Sequence, residues 1–308
     1  MKILTLTLSP AFDVHCHVAA FAPYHENLAK IISRDAGGKG INISRALTQN
    51  GVANTALVML GTENGTDFCR ALESDGLNLR TVTVKGRIRE NLTIHTERAP
   101  ETRVSFEGFT ADTSLLSRIE EMLGEVDAET VLTLTGRLPS GLEMADVKAF
   151  LCRLQEAGAR IVIDSRSFSL ADLVECRPWL IKPNEEEIEA YLGRKFDALA
   201  DVLSAADKLH RKGIANVMIS MGGKGACLAC EAGIFVATPP ELEVRSTVGA
   251  GDCSIAGFLA ATANGLDAPD TLRTAVAYGS AACLREGTQP PRTEDVRALY
   301  ALVSVSPS

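Results

Sequence analysis

The sequence lacks an excess of basic residues. It carries 31 Lys and Arg against 39 Asp and Glu, a net charge of -8, and no local basic cluster reverses that balance. Such a chain repels polyphosphate backbones and anionic lipid surfaces, which excludes nucleic acid and membranes as partners. It also lacks any apolar run approaching the ~18–20 residues of a membrane span. Its 8 Cys are scattered without a framework spacing, so they read as reduced thiols of a cytosolic protein rather than as disulfides. With no long low-complexity tract, no internal repeat and only 5% aromatic residues, the disordered and fibrous classes drop out. Two nucleotide signatures are missing as well. No stretch fits G-x-x-x-x-G-K-[ST], which argues against a P-loop enzyme, and the first strand runs into Ser9-Pro10 rather than into G-x-G-x-x-G, which disfavours a dinucleotide-dependent dehydrogenase.

What is present suffices for an extensive core: 46% hydrophobic and 23% charged residues over 308 positions, with no need of disulfides or a structural metal. Met1 to Leu8 alternates like a strand, and Pro10 and Asp13 end it before the apolar region of a signal peptide forms, so a cytoplasmic location is expected. Strand-like segments follow at Asn54–Leu60, Thr130–Leu134, Arg160–Asp164, Trp179–Lys182 and Asn216–Met221. Helix-like stretches alternate with them at Ile41–Gln49, Gly65–Leu72, Leu115–Leu123, Met144–Glu156, Glu185–Leu192 and Ala198–Lys212. This rhythm predicts an α/β fold, a doubly wound, mainly parallel sheet with helices on both faces. Two segments, about 13–35 and 82–109, break it. The second reads as a hairpin around Ala99-Pro100-Glu101, and together they predict a small β-sheet lid beside a body formed by 1–12, 36–81 and 110–308. The tail from Val303 to Ser308 is expected to fray.

The strongest chemical signal is Ser246-Thr247-Val248-Gly249-Ala250-Gly251-Asp252-Cys253 ahead of an apolar stretch. Small residues allow a sharp turn, and the helix that follows opens with unpaired N–H groups and partial positive charge, a setting that binds phosphate oxygens. An Asp at that point is either an ordinary N-cap or a general base beside an anion hole. A second Gly-rich stretch, Ala36-Gly37-Gly38-Lys39-Gly40-Ile41-Asn42, also opens a helix; it is either a flexible hinge with a soluble Lys or a place where a ligand approaches the backbone while Asn42 bonds its hydroxyls. In Lys182-Pro183-Asn184-Glu185-Glu186-Glu187, Asn184 and Glu187 serve as helix caps or organise a magnesium ion through its waters. Ser220-Met221-Gly222-Gly223-Lys224-Gly225 is a turn or the border of a nucleotide. Cys227 and Cys230, and the triplet His15-Cys16-His17, lack the partners that a metal site needs and stay outside the candidate site.

Taken together, Thr7-Leu8-Ser9-Pro10-Ala11-Phe12-Asp13, Gly37-Gly38-Lys39-Gly40-Ile41-Asn42, Lys182-Pro183-Asn184 with Glu187, and Thr247-Val248-Gly249-Ala250-Gly251-Asp252 resemble the ribokinase-like, or PfkB, family of carbohydrate kinases over nearly the whole chain. Glu26-Asn27-Leu28, Arg87-Ile88-Arg89-Glu90-Asn91, Ile163-Asp164-Ser165, Pro178-Trp179-Leu180 and Gly193-Arg194-Lys195 are most similar to its 1-phosphofructokinase branch, with the tagatose-6-phosphate kinases close by. The resemblance implies ATP-dependent phosphorylation of a ketohexose phosphate, fructose 1-phosphate to fructose 1,6-bisphosphate, with ATP as co-substrate, Mg2+ as cofactor and a homodimer formed through the lid. Tagatose 6-phosphate and fructose 6-phosphate are the alternative substrates within the family, and a non-catalytic phosphosugar-binding regulator is the alternative outside enzymes.

The same resemblance assigns roles. Asp252 would be the base, and Gly249, Ala250 and Gly251 the anion hole. Asp13, Gly37, Gly38 and Asn42 would bind the sugar, and Arg89 its phosphate, helped by Asn27 and Lys30. Lys182, Asn184, Ser220, Gly222, Gly223, Gly225 and Thr247 would border ATP, with Gly249 and Gly251 at its phosphates, and Asn184 and Glu187 would hold magnesium through water. Three residues depart from the family pattern: Ser9 for Asn, Cys253 for the Ser after the base, and Arg137, which turns Gly-Ser-Leu-Pro into Gly136-Arg137-Leu138-Pro139 and adds a second fixed cation near the sugar.

Overall fold

The computed structural model describes residues 1–97 and 101–308. The chain begins with β1 (Lys2–Thr7), β2 (Ala11–His17), β3 (Lys30–Gly37), α1 (Lys39–Gln49), β4 (Thr55–Gly61), α2 (Gly65–Leu72), β5 (Leu79–Val84), β6 (Arg89–His95) and β7 (Thr102–Ser105). It continues through α3 (Ser114–Leu123), β8 (Thr130–Thr135), α4 (Met144–Glu156), β9 (Arg160–Asp164), α5 (Leu170–Cys176), β10 (Leu180–Ile181), α6 (Glu185–Leu192), α7 (Leu199–Arg211) and β11 (Asn216–Ser220). The last elements are β12 (Ala226–Cys230), β13 (Gly233–Thr238), α8 (Ala250–Ala263), α9 (Ala268–Cys283), α10 (Thr293–Leu302) and β14 (Ser304–Pro307).

Ten strands form one sheet in the order β14-β13-β12-β11-β10-β9-β8-β1-β4-β5. From β11 to β5 the pairing is parallel; β12, β13 and β14 close the other edge antiparallel. The central strands are apolar on both faces because helices cover both. Ile3, Val131, Val162 and Met218 pack towards α1, α8, α9 and α10, whereas Leu4, Leu132, Ile161 and Val217 pack towards α2 to α7. This is the doubly wound α/β architecture that the alternating sequence predicts.

The chain leaves β1 for β4 and β5 on one side and returns to build β8, β9, β10 and β11 on the other, so the winding reverses between β1 and β8. A crevice opens at such a reversal beyond the carboxyl ends of the strands. Thr7 and Thr135 end β1 and β8 opposite each other there.

A second sheet, in the order β3-β2-β6-β7, stands over this crevice. Its root is fixed to the body: Phe12 is fully buried, meets Phe68 of α2 edge-on at 5.1 Å between centroids, and carries the Arg34 guanidinium 3.4 Å from its ring centroid. Towards its far end it has its own small core of Cys16, Val18 and Ile94. β2 starts at Ala11, and β5 stays in the large sheet to Val84, so the outlying sheet is entered slightly earlier in the first segment and later in the second than the pattern breaks at 13 and 82 suggest. Of the expected hairpin turn, Ala99 and Pro100 lie outside the described residues; Arg103 pairs with Thr93 beside it.

The expected frayed tail is a strand instead. β14 pairs with β13, Val305 opposite Ala237, and Val303 is buried, because β13 otherwise leaves its outer N–H and C=O groups unpaired at the sheet edge. Cys227 and Cys230 are buried on opposite faces of β12, one in each half of the core, and so cannot share a ligand. Among the described residues no helix is long and apolar enough to cross a membrane.

Helices α8 and α9 pack closely at Gly257 of α8, where an added Cβ would stand 2.8 Å from the Thr274 carbonyl oxygen and 2.9 Å from Tyr278 Cβ, both of α9. Gly257→Ala is expected to destabilise the protein by ~1–3 kcal/mol through overpacking against backbone. Urea unfolding measures it, and an unchanged midpoint would contradict the close approach.

Candidate active site

Gly249 adopts φ +81°, ψ -7°, a left-handed conformation that glycine reaches without a Cβ penalty, and the chain turns there straight into α8. The N–H groups of Gly251 and Asp252 have no hydrogen-bond partner among the described residues and open into the crevice. Lys182, at the end of β10, covers this turn: a Cβ built on Gly251 would stand 3.0 Å from its Nζ. The N-terminus of α8 and a buried ammonium therefore address the same small volume, which is the charge arrangement that a phosphoryl group requires.

Asp252 follows in the first turn of α8 and is 6% exposed. It caps nothing: α8 has no side-chain cap bond. Instead its Oδ2 accepts a hydrogen bond from Asn42 Nδ2 at 2.9 Å, across 210 residues of sequence. Burial pushes its carboxyl up to about 6, and the nearby Asp164 adds to this, against the opposing pull of Lys39, Asn42 and Lys182. Such a group is a carboxylate at neutral pH that still accepts a proton readily.

Lys39 Nζ forms an ion pair with Asp164 Oδ2 at 2.9 Å. For Asp164 burial acts upward, but Lys182 and Lys39 outweigh it and hold the carboxyl below its ordinary range. For Lys39 burial acts downward, but Asp164 and Asp252 outweigh it and raise the ammonium. Both stay charged, so alternating charges, Lys182, Asp164, Lys39 and Asp252, line the floor of the crevice.

On the lid side, Asn91 Nδ2 donates to Asp13 Oδ1 at 2.8 Å, and Arg89 Nη1 donates to Asn91 Oδ1 at 2.6 Å. Gly37 and Gly38 press close to this ladder: a Cβ on Gly37 would stand 3.0 Å from Asp13 Oδ2, and one on Gly38, at φ +151°, would stand 2.6 Å from Thr7 Cγ2. Any side chain at either position would fill the space beside Asp13 and Thr7.

A cavity of about 710 Å³ joins these parts. Of the residues anticipated from sequence, Asp13, Gly38, Asn42, Arg89, Arg137, Lys182, Asn184, Glu187, Ser220, Gly249, Gly251 and Asp252 line it. Gly37 and Ala250 lie directly beside lining residues. Thr247 is exposed just before the turn, and Gly222, Gly223 and Gly225 form the turn beyond Ser220, outside the lining. Asn27 and Lys30 also stand outside it: Asn27 closes a local turn onto the backbone of Ala22 and His25, and Lys30 is exposed at the start of β3.

Asn184 and Glu187 form a reciprocal capping box on α6, with Glu187 N–H donating to Asn184 Oδ1 at 2.8 Å and Asn184 N–H donating to Glu187 Oε2 at 3.0 Å. Arg166 donates to the other oxygen, Oε1, at 2.8 Å. Among the described residues no three His, Cys, Asp or Glu side chains gather as an inner metal shell. Glu187 lines the cavity with each oxygen already accepting one hydrogen bond, which suits contact with a hydrated cation rather than direct ligation.

Lys39, Asp164, Asn91, Arg166 and Thr288 line the cavity as well, beyond the residues anticipated from sequence. The signal for Asp164 was its place at the carboxyl end of a parallel strand, and that for Lys39 its position inside the Gly-rich stretch. His15 Nδ1 and His95 Nε2 lie 2.9 Å apart on the lid, a histidine pair that consumes one of the two imidazoles of the His15-Cys16-His17 triplet.

The model of the pfkB family of carbohydrate kinases matches residues 12–295. This chain belongs to that family. It is therefore a phosphotransferase whose acceptor is a sugar hydroxyl. It is 31% identical to the 1-phosphofructokinase of Escherichia coli (strain K12) over 311 aligned residues, covering 99% of this chain and 98% of the relative. It is also 29% identical to the ATP-dependent 6-phosphofructokinase isozyme 2 of the same strain, over 99% of both chains. The crystal structure of Escherichia coli phosphofructokinase-2 in complex with substrates and products superposes with a TM-score of 0.89 at 28% identity, covering 98% of this chain and 99% of that one. The pfkB fold accounts for both sheets.

Because burial holds Asp252 above its ordinary 3.8, the ionised form destabilises the folded protein above pH 6. A raised carboxylate contributes relative stability below its unfolded pKa and loses it as pH rises through the folded value. Asp252→Asn should therefore raise the melting temperature at pH 7.5, by up to ~3 kcal/mol in free energy, with the gain shrinking towards pH 4. A gain that is independent of pH would show that the carboxylate is not strained.

Proposed function

We propose that this pfkB kinase transfers the γ-phosphoryl group of ATP to a ketohexose phosphate, converting fructose 1-phosphate to fructose 1,6-bisphosphate. The observation that carries the reading is the buried Asp252 carboxylate beside the open N–H groups of its own helix, facing a lid that offers Arg89. The 1-phosphofructokinase relative favours fructose 1-phosphate, and the 6-phosphofructokinase relative keeps fructose 6-phosphate as the second reading.

In this mechanism the sugar lies between lid and body, with hydroxyls on Asp13, Asn42 and the backbone beside Gly37 and Gly38. Arg89 pairs with the phosphate that the sugar already carries, since a guanidinium's fork matches phosphate oxygens. Asp252 accepts the proton of the attacking hydroxyl. The N–H groups of Gly251 and Asp252, with Lys182 above them, stabilise charge on the transferring group. Lys39 stands between Asp164 and Asp252 and keeps both carboxylates ionised within one cavity. ATP runs from that turn along Asn184 and Ser220 towards Gly222, Gly223, Gly225 and Thr247. Asn184 and Glu187 would hold a magnesium ion through its waters, and bound there it supplies neutralisation of the triphosphate charge.

A homodimer through the lid belongs to the same reading. Seven of the twelve exposed large apolar side chains among the described residues, Phe21, Tyr24, Leu28, Ile31, Ile32, Val104 and Phe106, lie on the lid segments. A second lid would cover that surface.

ADP release measured in parallel with fructose 1-phosphate, tagatose 6-phosphate, fructose 6-phosphate and fructose should give the highest kcat/KM for the first. Asp252→Asn should lower kcat by at least ~10²-fold, the low end for a positioned base, with little change in phosphosugar affinity, and wild-type kcat should rise with pH through about 6. Near-normal turnover of Asp252→Asn would sink the assignment. Ile32→Glu, which puts a charge on the apolar lid surface, should convert a dimer to monomer in light scattering; an unchanged mass removes the lid as the interface.

A further inference from the structure

Arg137 sits where the family pattern has Ser, on the loop between β8 and α4. The backbone is pinned on both sides of it. Gly136, at φ +83°, donates its N–H to the Asp164 carbonyl at 3.0 Å, and Leu138 donates its N–H to Ser167 Oγ at 3.1 Å. The side chain leaves this fixed base into the cavity and makes no hydrogen bond or ion pair with any described residue. Arg89 lines the same cavity from lid strand β6; its Nη1 is held by Asn91, while its Nε is buried without a partner.

Both guanidiniums line one cavity, and burial and next the Arg137 charge lower Arg89 from its ordinary value against the opposing pull of Asp13, so the two cations repel each other across the gap between lid and body. Two like charges with unused donors, one on each side of a crevice, are unfavourable until an anion lies between them. The anion needs charge and several acceptor oxygens, which a phosphate monoester has and a sugar hydroxyl lacks.

We infer that Arg89 and Arg137 grip the same phosphate of the substrate, one from the lid and one from the body, so that this phosphate is the tie that draws the lid shut. The inference rests on the phosphosugar reading above and extends it from which group is bound to what its binding does. Without the phosphate, repulsion between the two guanidiniums opposes closure; with it, the same pair favours closure. Binding energy from a part of the sugar remote from the reacting hydroxyl is thereby used to assemble the site and exclude water.

The test has two arms. In steady-state kinetics Arg137→Ser should raise KM for fructose 1-phosphate by about 10- to 100-fold, the loss expected for charge-assisted hydrogen bonds, with KM for ATP changed less than about threefold; Arg137→Lys should recover part of the loss. In the second arm, inorganic phosphite added to unphosphorylated fructose supplies the anion without the covalent link. It should raise wild-type kcat/KM for fructose at least about tenfold and leave Arg137→Ser unaffected. Wild-type protein that phosphorylates no ketohexose phosphate overturns the functional reading itself. Wild type that is active on the phosphosugar while Arg137→Ser keeps its KM overturns the grip, and phosphite without effect on wild type overturns its role in closure. A thermal melt of Arg137→Ser matching wild type separates a lost contact from a lost fold.

Discussion

A carboxylate removed from water is costly unless cations and hydrogen-bond donors replace its hydration, and the site of this kinase is arranged around that constraint at Asp252. Asn42 donates to it, Lys39 and Lys182 stand near it, and Asp164 anchors Lys39 at 2.9 Å. The compensation is incomplete, which is why the group is held near 6 rather than at an ordinary carboxylate value. Incomplete compensation is also what makes it basic. A better-solvated aspartate would bind protons more weakly, and one without these partners would bind them more tightly.

The large sheet meets this constraint by bringing distant parts of the chain together. Asn42 comes from the first turn of α1, Asp164 from the end of β9, Lys182 from the end of β10 and Asp252 from α8. Parallel strands put their carboxyl ends at one edge, so each of these groups reaches the crevice with its backbone already held by ladder or helix hydrogen bonds. The lid adds the complementary half, the ladder of Asp13, Asn91 and Arg89, on a sheet rooted by Phe12 against Phe68. The two sheets face each other across the crevice, so the groups of both line one cavity.

Much of this was legible from the chain. The segments read from the alternation match their elements to within two residues, because long periodic stretches such as Met144–Glu156 carry an unambiguous pattern, whereas α5, α9, α10, β12 and β13 were not read. The small residues of Gly249 to Asp252 could be read as a sharp turn that opens a helix with free N–H groups. Less legible were features that depend on who the neighbour is. The tail was expected to fray, but β13 offers it an edge to pair with. Lys39 read as a soluble residue because its partner, Asp164, lies 125 positions away.

Local commitments are written in the chain: which segments are strands, where glycines let the backbone turn, where a helix begins with free N–H groups, and which family those pieces belong to. These depend on neighbours within a few residues and on apolar periodicity, both of which are written in order along the chain. The protonation and pairing of the charged groups emerge with the folded arrangement. Whether Asp252 is a cap or a base, and whether Arg137 is a solvated surface cation or half of a gap facing Arg89, turns on burial and on distances between residues far apart in sequence. Electrostatic energies fall with distance and rise with the loss of water, and neither quantity exists until the chain has folded.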